Sequence, residues 1–333
     1  MAKRLASVLA PIVLLAGCGG GSSGAPAYPL DDTLRIDQIQ AKGTHNSYHH
    51  EPAQPLPSLI PDWAYSMPTL TDQLELYGVR QIELDVHFQL AQQRLAVYHL
   101  PLLDPFTVCF WFSDCLSEIK AWSDAHPEHH PMMILIEPKD DIDLVKLDTH
   151  MQELDREIRE VWPEERIITP DRLRGGAATL GEALAAHGWP TLGESRGQVL
   201  FALDDHSQLR DEYVAGDPTL TGRAIFALFD PTDPNAAVLD IDNAAGAEDQ
   251  IRAAVAAHLL VRSIGDGASS VGSGDTSERD AALAAGSHFI STDFPASAGP
   301  GTYSFDIPGG TPSRCNPVSA PPECTPEAIE NLR

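Results

Sequence analysis

Two carboxylates separated by one residue, Glu83 and Asp85, end an apolar run that is typical of a buried strand. Because strand residues two positions apart point to the same face, both side chains face one side of the predicted sheet. Carboxylates that close repel each other unless a cation lies between them. Glu137 and Asn46 also follow apolar runs, and the four oxygen donors form a set that suits calcium or magnesium rather than soft metals.

Two histidines, His45 and His99, follow apolar runs in the same way. A lone histidine at a strand end is more often structural. A pair beside carboxylates favours a reaction in which one proton is removed and another delivered near neutral pH. A divalent cation with two such histidines suits phosphoryl transfer, because the cation neutralises charge on the phosphoryl oxygens.

Eight short β-rich runs carry these residues, and helical patterns separate most of them. This alternation predicts an α/β fold of parallel βαβ units, and eight runs predict a (β/α)8 TIM-type barrel in which functional side chains gather at the carboxyl ends of the strands. Only residues 89–93 separate the second and third runs, too few for a helix, so we expect an irregular barrel there. The predicted strands are 36–43, 79–86, 94–98, 132–136, 199–203, 224–229, 259–264 and 289–291, and the helices include 116–124, 144–161, 179–187, 248–258 and 277–285.

The N-terminus is typical of an exported protein. Two basic residues and an apolar stretch precede Leu15-Ala16-Gly17-Cys18, which is similar to the lipobox of bacterial lipoproteins; an ordinary signal peptide is the alternative. We therefore predict attachment to the membrane of the bacterial cell envelope through a lipidated Cys18. The predicted organisation is a signal peptide at 1–17, a flexible tether at 18–33, one catalytic barrel at 34–299 and a Cys- and Pro-rich C-terminal extension at 300–333.

The composition excludes some partners. Asp and Glu number 48 against 22 Lys and Arg, for a formal net charge of −26, which argues against nucleic acid and against electrostatic docking on anionic lipid. We expect a monomer. Four cysteines remain beyond Cys18, and an even number in an exported chain favours disulfides. Proximity favours Cys109 with Cys115 and Cys315 with Cys324, although three pairings are possible and a zinc site is a weaker alternative.

A series of motifs along the mature chain resembles the bacterial calcium-dependent phosphoinositide phospholipases C and, more distantly, the catalytic barrel of the eukaryotic enzymes. No single motif is specific, but their order and spacing are specific together. The motifs are Gly43-Thr44-His45-Asn46-Ser47-Tyr48, Glu83-Leu84-Asp85-Val86, Val97-Tyr98-His99, Ile136-Glu137-Pro138-Lys139-Asp140, Gly188-Trp189-Pro190, Ser291-Thr292-Asp293-Phe294-Pro295 and Arg314-Cys315-Asn316-Pro317.

The resemblance implies a role for each candidate residue. Asn46, Glu83, Asp85 and Glu137 would bind Ca²⁺. His45 would assist the base or stabilise the transition state, and His99 would protonate the departing glycerol oxygen, with His87 as the next candidate. The substrate would be a phosphoinositide-type lipid, attacked at phosphorus by its inositol 2-hydroxyl. Lys139 would contact a substrate phosphate and Arg262 would also bind substrate, although a lysine at a barrel rim is often only solvated.

The chain departs from the family pattern at three positions: Ile264 and Met67 occupy places where arginine and histidine are expected, and Asp204 occupies the place of a eukaryotic lysine. These differences argue against highly phosphorylated inositides. Two alternative functions remain open. A glycerophosphodiester phosphodiesterase has a similar residue set but usually reads His-Arg-Gly where this chain reads His-Asn-Ser. A non-catalytic calcium-binding surface lipoprotein would need the acidic residues but not both histidines, and this chain has both His45 and His99.

Overall fold

The computed structural model describes residues 28–139, 147–296 and 303–331. The predicted signal peptide at 1–17 and the lipidated Cys18 therefore lie outside the described residues. Within the described ranges, no helix combines the length and the apolar character that crossing a membrane requires.

Eight parallel strands form a nearly closed barrel, which confirms the predicted fold class. Their hydrogen-bonded order is β6-β5-β4-β2-β1-β9-β8-β7, and in the described part of the chain no pairing joins β6 to β7. The strands are β1 (Ile39–Thr44), β2 (Val79–Gln89), β3 (Arg94–Val97), β4 (Met132–Pro138), β5 (Val199–Leu203), β6 (Ile225–Ala227), β7 (Val238–Asn243), β8 (Leu260–Ile264), β9 (Phe289–Thr292) and β10 (Arg314–Cys315).

The predicted number of barrel strands is confirmed, but one predicted member is wrong. The run at 94–98 forms β3, which folds back antiparallel on β2 and lies outside the barrel path, so the predicted irregularity is this hairpin. The missing barrel strand is β7, which no apolar run predicts because Asp240 and Asp242 interrupt it.

The predicted helical segments are present, with ends that shift by a few residues. The exception is 144–161, where a 3-10 turn at Leu147–His150 precedes a helix over Gln152–Val161 and residues 144–146 lie outside the described chain. The helices are α1 (Leu56–Leu59), α2 (Leu70–Glu75), α3 (Phe112–Ala125), α4 (Gln152–Val161), α5 (Pro170–Arg174), α6 (Leu180–His187), α7 (Leu192–Ser195), α8 (Gln208–Val214), α9 (Glu248–Ala256), α10 (Ala268–Ser273), α11 (Ser277–Ala285) and α12 (Pro326–Ile329).

Strand β2 separates an apolar face from a polar one. Ile82, Leu84 and Val86 belong to the main hydrophobic core. The alternate residues Gln81 and Glu83 accept hydrogen bonds across the barrel from side chains of β9 and β8. The interior of the barrel is therefore polar at this strand. A Cβ at Gly43 of β1 would lie 1.8 Å from the side-chain oxygen of Gln81, so glycine there leaves room for this interior residue.

The described part of the C-terminal extension packs on the barrel. Strand β10 pairs with β1, and both disulfides favoured by proximity are present, Cys109–Cys115 and Cys315–Cys324, which removes the zinc alternative. The predicted tether needs a correction at its end. Tyr28 is buried against Arg196, and Asp31 pairs with the same arginine, so residues 28–33 pack on the barrel.

The extension also closes the amino-terminal end of the barrel with a buried ion pair. Glu330 accepts hydrogen bonds from Arg80 of β2 and from the backbone of His130, and the guanidinium of Arg80 stacks on Trp122. Burial by itself raises the pKa of a carboxyl, but Arg80 and His130 outweigh it and lower the pKa of Glu330 to about 2.

We predict that Glu330→Gln lowers the free energy of unfolding by about 3–5 kcal/mol at neutral pH, because it leaves Arg80 buried without its carboxylate. A carboxyl with a lowered folded pKa stabilises the protein above its unfolded pKa and loses that effect as pH falls. The difference between wild type and variant, measured by urea denaturation, should therefore shrink from pH 5 towards about 2. An equal difference at every pH would contradict the ion pair.

Candidate active site

A cavity of about 530 Å³ opens at the carboxyl ends of the barrel strands. His45 and Asn46 follow β1, Glu137 and Lys139 lie at the end of β4, and His99 follows β3; all five line the cavity. The structure therefore brings five of the eight predicted site residues to one surface. The other three, Glu83, Asp85 and Arg262, lie buried beneath them.

Three carboxylates form a compact cluster at the cavity floor. Glu83, Asp85 and Glu137 each place an oxygen within 4.8 Å of the others. Asp85 and Glu137 are direct partners in the parallel register of β2 and β4, and Glu83 lies two residues before Asp85 on the same face. Burial first, and then the charge of Glu137, raise the pKa of Asp85 well above its usual value. Such a cluster is unfavourable in its ionised form unless cations compensate for it.

The donor set fits a hard divalent cation. Both oxygens of Asp85 are buried and neither accepts a well-aligned hydrogen bond among the described residues; Lys139 lies 3.2 Å from Oδ2, and the nearby Tyr48 hydroxyl is directed to Asn46. Buried carboxylate oxygens without donors are costly, and a coordinated metal removes that cost. All the candidate ligands offer oxygen, the preference of calcium.

Asn46 lies beside this cluster, in a turn whose backbone conformation suits asparagine. Its φ of +44° lies in the left-handed region, which asparagine tolerates better than most residues. Its backbone N–H donates to Glu83 Oε1 at 3.4 Å, and Tyr48 donates from its hydroxyl to the side-chain oxygen at 2.8 Å. The predicted fourth ligand therefore lies beside Glu83.

His45 is held by a carboxylate that lies beyond β9. Its Nδ1 lies 2.8 Å from Asp293 Oδ1, and its Nε2 lies 3.8 Å from Glu83 Oε1. Burial alone would lower the pKa of His45, but Glu83 and Asp293 outweigh it and raise the pKa to about 10. A cation bound to Glu83 would weaken that effect, because it offsets the carboxylate charge.

His99 has its own carboxylate partner, Asp104. The buried Oδ2 of Asp104 lies 2.8 Å from Nδ1 of His99 and 3.0 Å from Nε2 of His49. Although burial raises a carboxyl pKa, hydrogen bonds from the two histidines lower the pKa of Asp104 below its usual value. The indole of Trp63 packs edge-on against His99 with 5.6 Å between ring centroids. These contacts fix the ring and direct Nε2 away from Asp104.

Arg262 and Lys139 both contact the acids of the site. Arg262 is buried and donates to Ser291, Glu83, Asp240 and Asp242, so its described contacts are with protein groups and its predicted contact with substrate stays a prediction. Lys139 pairs with Asp85 and Glu137 at the cavity edge. Its predicted phosphate contact also stays a prediction.

Four acids of the site do not appear among the predicted site residues. Asp293 is visible in the sequence as a strand-end acid, but nothing there pairs it with His45. Asp104 lies in a loop and carries no periodic signal. Asp240 and Asp242 lie on the unpredicted β7 with the same one-residue spacing as Glu83 and Asp85, a pattern that could have revealed them. Burial first, then Asp242 and Glu83, raise the pKa of Asp240 to about 7 against the opposing effect of Arg262.

Comparison with known proteins decides the family. The model of the family described as "Phosphoinositide phospholipase C, Ca2+-dependent" matches residues 34–93 and 87–317, most of the chain. The chain belongs to this family. The predicted family and enzyme class, a phosphoric diester hydrolase, are thereby confirmed, and calcium is the cofactor that the family description names.

Solved structures of bacterial phospholipases share the fold. A calcium-dependent enzyme from Streptomyces antibioticus is 21% identical, with a TM-score of 0.57 over 79% of this chain and 95% of that one. A calcium-dependent enzyme from Pseudomonas sp. is 19% identical, with a TM-score of 0.56 over 88% of this chain and 99% of that one, and was also solved as a myo-inositol complex. No curated protein matches this phospholipase in sequence.

Proposed function

We propose that this phospholipase cleaves a phosphoinositide-type lipid between glycerol and phosphate, with the inositol 2-hydroxyl as nucleophile and two histidines as acid and base. The observation that carries the proposal is the pairing of His45 with Asp293 and of His99 with Asp104 around one cavity that also holds the calcium donor set. The products would be a cyclic inositol phosphate and diacylglycerol. The 2-oxygen forms a bond to phosphorus, and the bond between phosphorus and the glycerol oxygen breaks. The 2-hydroxyl loses a proton to the base, and the departing glycerol oxygen gains one from the acid.

Calcium would be held by Glu83, Asp85, Glu137 and Asn46. When bound, it neutralises charge on the phosphoryl oxygens and lowers the pKa of a coordinated hydroxyl. Arg262 holds Glu83 from below, so this ligand keeps its position whether or not the cation is present. Fixed ligands of this kind reduce reorganisation when the charge of the transition state develops.

The two histidines divide the proton transfers. His45 lies next to Glu83 and Asn46, beside the metal site, and would act on the attacking hydroxyl or the phosphoryl group. His99 lies at the cavity wall formed by the loop after β3 and would deliver a proton to the glycerol oxygen. A carboxylate on Nδ1 orients each ring, so that Nε2 is presented for proton transfer.

The surroundings of the cavity support a lipid substrate. The segment from His99 to Trp111 passes beside residues 48–50 at the cavity wall and exposes several large apolar side chains. These are Leu102, Leu103, Phe106 and Phe110, with exposures of 92%, 52%, 47% and 45%. An acidic protein that meets a bilayer needs apolar contacts of this kind, because its charge cannot attract anionic lipid.

The protein would also be attached to the membrane through its N-terminus. The sequence before Cys18 supports export and lipidation of that residue, and the barrel would then act from the cell envelope as a monomer. Because Tyr28 is already packed on the barrel, the lipidated Cys18 would precede the packed chain by few residues.

The function is tested by comparing phosphatidylinositol with glycerophosphodiesters, each with calcium and with chelator. We expect hydrolysis of phosphatidylinositol in calcium, its loss in chelator and its recovery on readdition of calcium, with slow or no hydrolysis of glycerophosphodiesters. Preference for glycerophosphodiesters, or full activity in chelator, would refute the proposed substrate or the proposed metal.

The histidine roles are tested with two leaving groups. His99→Ala should lower turnover of the natural lipid by roughly 10²–10⁴-fold, the usual contribution of general acid–base catalysis, because the glycerol alkoxide needs a proton. It should harm a substrate with an aryl oxide leaving group much less. Asp104→Asn should show the same selectivity, whereas His45→Ala should harm both substrates similarly.

The control for these variants is His206→Ala, which changes an exposed histidine outside the cavity and should leave both rates unchanged. Equal losses on both substrates for His99→Ala and His45→Ala would show that the assigned division of roles is wrong. A near-normal His99→Ala enzyme would direct the search for the proton donor to His87, whose Nε2 lies 3.0 Å from the backbone oxygen of Tyr98.

Membrane attachment is tested by Cys18→Ser in the full chain expressed in a bacterial host. The wild type should partition into detergent with Cys18 as its first residue, because a diacylated cysteine anchors the chain. The variant should be released or remain unprocessed. A wild type that is wholly soluble and begins at another residue would rule out the anchor.

A further inference from the structure

Two protein cations contact the acid cluster, and their surroundings differ. Arg262 is 2% exposed and donates to three carboxylates and to a serine hydroxyl, so the barrel interior fixes it on every side. Among the described residues, Lys139 forms ion pairs with Asp85 and Glu137, and its side chain, 16% exposed, borders the cavity. Arg262 is thus enclosed by the barrel interior, whereas Lys139 borders open volume on one side.

Lys139 uses the oxygens that a metal would need. Its Nζ contacts Glu137 Oε1 and lies 3.2 Å from Asp85 Oδ2, so it sits between two of the three clustered carboxylates. A calcium ion bound by those oxygens at about 2.3–2.6 Å would bring a dication and an ammonium into one small, poorly solvated space. At such short range the dication repels the ammonium and competes with it for the same carboxylate oxygens.

The main chain of Lys139 cannot move with its side chain. Its backbone N–H donates to the carbonyl of Val86 at 2.9 Å, which continues the pairing of β4 with β2. The four-carbon side chain can rotate without disturbing this bond, and the cavity of about 530 Å³ gives it space. A displaced ammonium would therefore enter the volume in which a substrate phosphate binds.

We propose that Lys139 is the exchangeable counter-ion of the calcium site: its ammonium compensates part of the charge of Asp85 and Glu137 in the metal-free protein, and calcium displaces it into the cavity to meet the substrate phosphate. The proposal rests on the proposed calcium-dependent function. The lysine lowers the apparent affinity for calcium, because the ion must replace an existing ion pair. In return it stabilises the metal-free barrel and links phosphate binding to metal occupancy.

The test measures calcium affinity by isothermal titration of chelator-treated full-length protein without substrate, together with melting temperature in chelator and in saturating calcium. Lys139→Met keeps an unbranched, apolar side chain of similar length and removes its charge. Its dissociation constant for calcium should fall at least about tenfold, which corresponds to about 1.4 kcal/mol. Its melting temperature should be lower than that of wild type in chelator, and the difference should shrink in calcium.

Lys120→Met is the matched control, because it removes the same charge from an exposed pair with Asp124 on α3. It should change the calcium dissociation constant by less than about twofold, the modest effect of a screened distant charge. If Lys139→Met does not fold in chelator, Lys139→Gln, which retains hydrogen-bonding capacity, is measured in its place with the same expectation.

The outcomes separate the two proposals. If the wild type binds calcium and Lys139→Met binds it equally well or more weakly, the exchange is refuted while the calcium-dependent function stands. If the wild type binds no calcium, both fail. If the affinity rises equally in Lys139→Met and Lys120→Met, the effect is one of net charge, and the exchange is again refuted.

Discussion

Repulsion among the clustered carboxylates at the mouth of the barrel is the constraint on which the rest of the site depends. Glu83, Asp85 and Glu137 lie within 4.8 Å of one another, and Asp85 is completely buried. Charges in such a place are tolerated only when cations and hydrogen-bond donors compensate for them. Arg262 and Lys139 supply part of that compensation, and the carboxylate oxygens left uncompensated define the place of a metal ion.

The parallel barrel creates this crowding by its geometry alone. Adjacent parallel strands end at the same face, and the register of β2 with β4 sets Asp85 directly beside Glu137. The opposite face carries a different kind of ion pair, in which Glu330 fully matches Arg80. The compensated ion pair thus lies at the amino-terminal end of the barrel, where residues contribute to stability. The incompletely compensated carboxylates lie at the carboxyl ends of the strands, where barrels of this type form their active sites.

Much of this site could be predicted from the sequence because strands impose a simple rule. Glu83 and Asp85 share a face by their spacing, and strand-end residues such as His45 and Glu137 must gather at one rim. The partners Asp104 and Asp293 could not be predicted, because loop closure and contacts across the barrel determine which carboxylate meets each histidine. The prediction for 94–98 fails because apolar alternation alone does not distinguish a hairpin strand from a barrel strand. Strand β7 escaped prediction because its inward acids break the apolar run.

The central claim is that the carboxylate cluster binds calcium, and diffraction from crystals soaked in calcium tests it most directly. At a wavelength where calcium scatters anomalously, we predict one strong peak about 2.3–2.6 Å from oxygens of Asn46, Glu83, Asp85 and Glu137. At saturating calcium, the absence of a peak at this cluster, or a peak on other residues in its place, would contradict the account.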